Sequence, residues 1–206
     1  MPAEGVASRF QKRDHAGAMT FWNVTGLLWL ALVVYWLIAS RNNKTDVYRE
    51  AGWRRFMSSF GILLGAALLN WRRLSFGWLG LSLLPSGFAT GLGGTLVCAA
   101  GLLLALWARR VLGANWSGVV ALKENHELIL RGPYRLVRHP IYSGVLLMVL
   151  GTAIVIGELR GVVALVVFLG CFALRIHDEE AILTRQFPQE YPRYQQRTRR
   201  LIPWLF

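Results

Sequence analysis

Two short stretches of this 206-residue chain concentrate the groups that can do chemistry. Arg131 to Gly144 reads RGPYRLVRHPIYSG: three arginines, a histidine, two tyrosines and two prolines, with an unbroken apolar run directly after it. Arg175 to Tyr194 reads RIHDEEAILTRQFPQEYPRY, in which Arg175 and Glu179 stand at i and i+4 and so share one face of a helix. In the first stretch Pro140 pushes His139 out of the helical region and itself suits the first turn of the helix that follows. That helix start presents free backbone N–H groups and a positive dipole end, which together suit an anionic group of a ligand. Taken singly, Arg135 or Arg138 reads most simply as a side chain that snorkels to lipid headgroups. That reading does not account for Tyr134, Arg138, His139, Pro140 and Tyr142 occurring together. In the second stretch, Asp178 and Glu180 are expected on a solvated face.

The elements that must position these groups are membrane helices. Apolar residues make up 54% of the chain and gather in blocks rather than alternating. The expected fold is all-α: a polytopic membrane protein of about five transmembrane helices, near 19–40, 52–71, 89–110, 141–157 and 160–176. Residues 76–88 are apolar but broken by Pro85 and glycines, and read as re-entrant or interfacial. The polar stretch Met1 to Gly17 reads as a loosely ordered tail, and the block behind it is too long for a cleaved signal peptide. A single domain is expected over 1–206, with 1–110 as transmembrane scaffold and 111–200 as the working region. The helical pair after Ile141 enters and leaves on one side, so the two polar stretches must be neighbours in space.

Charge gives the orientation. Of 23 Lys and Arg, 17 fall in 41–55, 109–140 and the tail from Arg175, and six on the other side. The positive-inside rule then places the N-terminus outside and the C-terminus in the cytoplasm, in an inner-membrane or endoplasmic-reticulum-type bilayer. This asymmetry accounts for the net charge of +12 without a nucleic-acid partner. Asp and Glu are absent between Ala51 and Lys123, whereas seven of the eleven follow that point. The basic, then aromatic end RTRRLIPWLF is expected to lie on an anionic leaflet. Cys98 and Cys171 fall within apolar spans and read as packing residues, neither bridged nor catalytic. No metal is expected: of the four histidines only His177, with Glu180, has ligand-like spacing, and no second copy of it exists. Expected spans carry no ionisable residue near their centres, which argues against an ion path.

The ordered set LGANWS, His126 with LIL, Gly132-Pro133-Tyr134, Arg138-His139-Pro140-Ile141-Tyr142, Arg175 with Glu179-Glu180, and FPQEYPRY resembles the isoprenylcysteine carboxyl methyltransferase family and its prokaryotic relatives. The resemblance covers roughly 110–200; the N-terminal half matches only as generic transmembrane sequence. It implies an integral membrane enzyme that uses S-adenosyl-L-methionine and releases S-adenosyl-L-homocysteine. The implied cofactor pocket comprises His126, Glu127, Leu128, Ile129, Tyr134, Arg138, His139, Pro140, Ile141 and Tyr142, bordered by Ala121, Leu122 and Lys123. Glu179 would hold a polar end of the cofactor, and Arg175 would pair with a substrate carboxylate. The implied partner is a lipid-like or prenylated substrate drawn from the surrounding membrane lipids; oligomeric state is not legible. The glycine-rich loop of soluble methyltransferases is absent, since GLGG at 91–94 follows no strand.

Alternatives remain at this point. An amine or thiol acceptor would need a base, with His177 or Glu180 available, and related N- and S-methyltransferases share parts of the pattern. A membrane reductase on NADPH would need a phosphate clamp, for which Arg131, Arg135 and Arg138 are available. A non-enzymatic scaffold is the third class.

Overall fold

The computed structural model describes residues 3–41, 46–49, 52–115, 121–123 and 128–203. Five long helices form the body: α1 (Ala3–Ser40), α2 (Gly52–Asn70), α3 (Phe88–Leu112), α4 (Pro140–Ile156) and α5 (Leu159–Gln186), followed by a short α6 (Glu190–Arg197). The body is all-α, as expected, with two local differences. Strands β1 (Asp46–Arg49) and β2 (Ala121–Lys123) pair antiparallel into a small ribbon between two connecting loops. The helix of the first span also begins much earlier, at Ala3: its leading residues include Ala, Glu, Arg, Gln and Lys, all good helix formers, with no proline to stop them.

Among the described residues, three segments are long and apolar enough to cross a membrane, Thr20–Ser40, Phe88–Leu112 and Leu159–Gln186, and two shorter apolar helices, Phe56–Asn70 and Pro140–Ile156, accompany them. Their outward residues are large and apolar, among them Leu27, Leu37, Leu63, Leu103 and Val166. A surface of that kind belongs in lipid, and the chain is an integral membrane protein. Residues 76–88 do not span. They make a turn at Gly77–Gly80, then bond across the α4–α5 corner: Leu83 and Leu84 N–H donate to the Gly157 carbonyl, and Leu159 N–H to Leu81. Phe76, Trp78 and Phe88 stay exposed there, as an interfacial segment would leave them.

Helices in lipid gain little from apolar burial against one another, so close backbone packing and polar ties must hold them. α3 and α4 show this most plainly. Gly94 and Gly101 on α3 face Gly151 and Gly144 on α4, and a Cβ on Gly101 would fall 2.5 Å from the Gly144 carbonyl oxygen and 2.6 Å from the Met148 nitrogen. Trp29 of α1 donates its indole N–H to Thr152 of α4 at 3.0 Å. At the end away from the two polar stretches, buried Arg160 pairs with Glu158 at 2.6 Å and donates to the Leu68 carbonyl at the end of α2 at 2.9 Å. At the other end Arg109 of α3 donates to the Ala39 carbonyl of α1 at 2.8 Å.

The α3–α4 contact sets a test. Gly101→Ala is expected to destabilise by about 1–3 kcal/mol, the usual cost of overpacking. Gly93→Ala, where an added Cβ meets nothing within 4 Å, is expected to be neutral. Denaturant unfolding of the detergent-solubilised protein measures both; equal stability of the two variants would mean that the helices do not approach this closely.

Candidate functional site

α4 starts and α5 leaves the bundle at the same end, so RHPIY and RIHDEE do meet, as the hairpin requires. Gly132 takes φ +61°, a value few side chains tolerate, and turns the chain into the short helix Gly132–Arg135. His139 then serves as the non-helical residue before α4, and Pro140 is the first helical residue. This entry leaves the His139 ring beside two carboxylates on α5: Nδ1 lies 3.4 Å from Glu179 Oε2, and Nε2 lies 3.3 Å from Glu180 Oε1. The Tyr142 hydroxyl donates to the other Glu179 oxygen. Its ring stacks on His139 at 5.8 Å between centroids and on Phe172 at 4.6 Å.

The two carboxylates differ in their surroundings. Glu179 is partly open, with 26% of its side chain exposed. Glu180 is 5% exposed, which overturns the expectation of a solvated face. The reason is the C-terminal segment, which folds back over α5. Glu180 accepts from Arg138 Nε at 2.8 Å, Arg200 Nε at 3.2 Å and Gln195 Nε2 at 3.4 Å. The same segment pairs with the approach to α4: Arg138 N–H donates to the Arg199 carbonyl at 2.8 Å, His139 N–H to Arg200 at 3.0 Å, and Ser143 Oγ to Leu201 at 2.6 Å. Residues 198–201 of the end expected on a leaflet therefore dock on the protein itself, with Thr198 and Leu201 buried. Arg138 also donates to the Thr198 and Gln195 carbonyls, so its side chain holds this segment in place. The Tyr194 hydroxyl donates to the Tyr134 carbonyl at 2.6 Å, and burial together with the Glu179 charge pushes the Tyr134 phenol up, keeping it protonated.

Beside this cluster runs a groove of about 400 Å³, lined by Leu32, Val33, Trp36, Leu37 and Ser40 of α1, Ile141, Tyr142 and Val145 of α4, and Phe172 and Arg175 of α5. Arg175 is the one charged group among the lining residues. Tyr142 borders both the groove and the His139–Glu179 cluster, and so links the two. α1 forms a whole wall of the groove; its apolar stripe carries no sequence signal that separates a groove wall from a lipid-facing side.

Of the other residues named from sequence, Leu128 and Ile129 are half-buried in irregular chain, and Tyr134, His139 and Pro140 are buried. Ala121 and Lys123 lie on β2, whereas His126 and Glu127 fall outside the described residues. His177 and Asp178 are on α5, directly before Glu179 and Glu180 in sequence.

Burial alone would lower the affinity of His139 for a proton, but the hydrogen bonds and charges of Glu179 and Glu180 outweigh it, and its pKa is raised. A raised folded-state pKa gives stability that is complete below the unfolded value of about 6.5 and is lost as pH rises through the folded value. The melting temperature is therefore expected to fall over that alkaline interval, and to fall less in Glu180→Gln. Glu180→Ala, which strands Arg138, is expected to cost about 3–5 kcal/mol in denaturant unfolding.

Comparison with known proteins covers the α4–α5 part of this region. The phospholipid methyltransferase family profile matches residues 89–190. A probable protein-S-isoprenylcysteine O-methyltransferase of Oryza sativa subsp. indica is 34% identical over 96 residues, 45% of this chain and 50% of that protein. Protein-S-isoprenylcysteine O-methyltransferase of Schizosaccharomyces pombe is 35% identical over 94 residues, 44% of this chain and 40% of that protein. The matches thus span half or less of the relatives' own length. The solved eukaryotic intramembrane Ras methyltransferase, isoprenylcysteine carboxyl methyltransferase, shares the fold with a TM-score of 0.52 and 24% identity, over 77% of this chain and 55% of that one. The paired motifs RHPIY and RIHDEE lie inside the profile match, so the part of the chain that carries them is similar to phospholipid methyltransferases, and the chain is similar over nearly half its length to protein-S-isoprenylcysteine O-methyltransferases.

Proposed function

We propose that this protein transfers a methyl group from S-adenosyl-L-methionine to the carboxylate of an isoprenylcysteine-type substrate. The observation that carries the reading is Arg175: one cation at the edge of an otherwise apolar groove, sharing Tyr142 with the His139–Glu179 cluster. A lipid-like chain suits the apolar walls, and Arg175 suits a carboxylate at its head. The donor set fits the cofactor: Glu179 keeps an open carboxylate for its amino or ribose groups, and the stacked His139, Tyr142 and Phe172 rings form an aromatic flank. S-adenosyl-L-methionine, when bound, supplies an activated methyl on a sulfonium with its own leaving group.

The work left to the chain is positioning. A carboxylate with a pKa of about 4 is ionised at neutral pH and needs no general base. Arg175 holds and orients that carboxylate, and the aromatic flank excludes water from it. His139 fixes Glu179 from one side while Tyr142 fixes it from the other, so the cofactor-holding oxygen geometry does not have to be assembled on binding. Five spans, with the N-terminus outside and the site in the cytoplasm, is the topology proposed here; it lets the substrate enter sideways from lipid past α1 and the cofactor from water. The carboxylate reading is favoured over an amine or thiol acceptor because Glu180, one of the two bases named for such acceptors beside His177, is occupied by Arg138, His139 and Arg200.

Calorimetry and turnover with a prenylcysteine analogue test the roles separately. Glu179→Ala is expected to weaken S-adenosyl-L-methionine binding by about tenfold or more, the worth of a charge-assisted hydrogen bond. His139→Ala should weaken it as well. Arg175→Ala is expected to spare that binding and to lower turnover on the order of 100-fold through misplacement of the acceptor. Normal turnover in Arg175→Ala would refute the carboxylate assignment, and absence of S-adenosyl-L-methionine binding by the intact protein would refute the reaction.

A further inference from the structure

A second concavity, of about 250 Å³, opens at the same end of the bundle and outside the cluster just described. It is lined by Arg135, Leu136, Gln196, Arg197, Thr198, Arg199 and Pro203. Three arginines and no carboxylate are among the lining residues. Arg138 and Arg200, their neighbours in sequence, are by contrast both paired with Glu180. Three like charges gathered in one concavity repel one another unless an anion sits among them.

The walls are built rather than incidental. Val137 and Arg199 form a parallel bridge, Arg138 N–H donates to the Arg199 carbonyl, and Thr198 Oγ1 donates to the Tyr194 carbonyl at 2.7 Å. These bonds hold the backbone, and leave the Arg135, Arg197 and Arg199 side chains on the exposed rim.

Two observations identify the class of anion. Arg135 stands five positions before Pro140, where the apolar helix α4 starts, so the concavity lies at the boundary between helix and polar loops. Leu136 and Ile202, 53% and 52% exposed, stand among and beside its lining residues. A soluble phosphate gains nothing from exposed leucine and isoleucine; a phospholipid gains a headgroup site and a resting surface for its chains at once. We propose that the notch of Arg135, Arg197 and Arg199 binds the phosphate headgroup of an anionic membrane lipid. The notch shares the 137–139 and 198–200 backbone pairing with the His139 cluster, so lipid in the notch also steadies that cluster. This inference does not rest on the methyl-transfer reading.

The test uses the full chain in nanodiscs of phosphatidylcholine carrying a trace of photoreactive phosphatidylglycerol, with peptide mapping of the labelled sites. Labelling is expected at the 135–136 and 196–203 peptides, and to fall by about fivefold or more in R197Q/R199Q, since each basic group near the surface contributes on that scale. R197K/R199K, which keeps the charge, is expected to retain most of the labelling, and a melting curve identical to that of the parent shows that R197Q/R199Q is folded. Undiminished labelling in folded R197Q/R199Q overturns the proposal, as does equal labelling by a photoreactive phosphatidylcholine. Inorganic phosphate is expected to compete only weakly; full displacement by phosphate would make the notch a soluble-anion site and overturn the lipid assignment.

Discussion

Glu180 sits where four parts of the chain meet: α5, the approach to α4, the end of α6 and the segment that follows it. A lone carboxylate taken out of water costs several kcal/mol, so burial at this depth is tolerable only with partners placed around it. Arg138 and His139 from the approach to α4, Gln195 from α6 and Arg200 from the segment after it are those partners. The requirement works in both directions. Glu180 needs the C-terminal segment folded over it, and that segment, through its carbonyls at Thr198, Arg199 and Arg200, fixes Arg138 and His139. Once His139 is fixed, the stacked ring of Tyr142 and the carboxylate of Glu179 have little freedom left.

This division of labour explains why adjacent glutamates have different fates. Glu179 and Glu180 are about 100° apart around α5, so one can face the C-terminal segment while the other faces α4. The buried one carries structure and the partly open one remains available to a ligand. His139 touches both, one ring nitrogen to each, and holds them at a set separation. A histidine in that position links the stability of the cap to the geometry of the site.

Much of this was legible from sequence, because apolar blocks this long admit few arrangements in lipid. Helices α2 to α4 begin and end within a few residues of their expected limits, and the hairpin topology alone brought the two polar stretches together. The fate of Glu180 was not legible. In the run Asp178-Glu179-Glu180 helical spacing shows three carboxylates on different sides, but which side is covered depends on residues 195–200, and no local pattern announces that they return. The docking of the basic end on the protein was hidden for the same reason: its arginines look alike in sequence, whereas in space Arg200 turns inward to Glu180 and Arg197 and Arg199 stay exposed. The wall supplied by α1 was hidden differently. Leu32, Val33, Trp36 and Leu37 have the composition of any lipid-facing stripe, and only the position of Arg175 across from them gives the groove a chemical direction.

That direction has a mechanical basis at the mouth of the groove. α1 is tied to α4 by Trp29 and Thr152 roughly midway along its apolar length, and to α3 by Arg109, whose guanidinium donates to the Ala39 carbonyl and so satisfies part of the exposed C-terminal end of α1. Ser40 and Leu37, which line the groove next to Arg175, lie at that tied end. These two polar bonds hold the α1 wall against α3 and α4 alongside the apolar packing of Leu32, and in lipid, where apolar contact has no strong preference for one separation over another, such ties matter most. The α1 wall is thus tied down at the polar end of the groove, next to Arg175. Between Leu32 and Val33 and the bilayer it relies on side-chain packing, which accommodates apolar chains of differing shape.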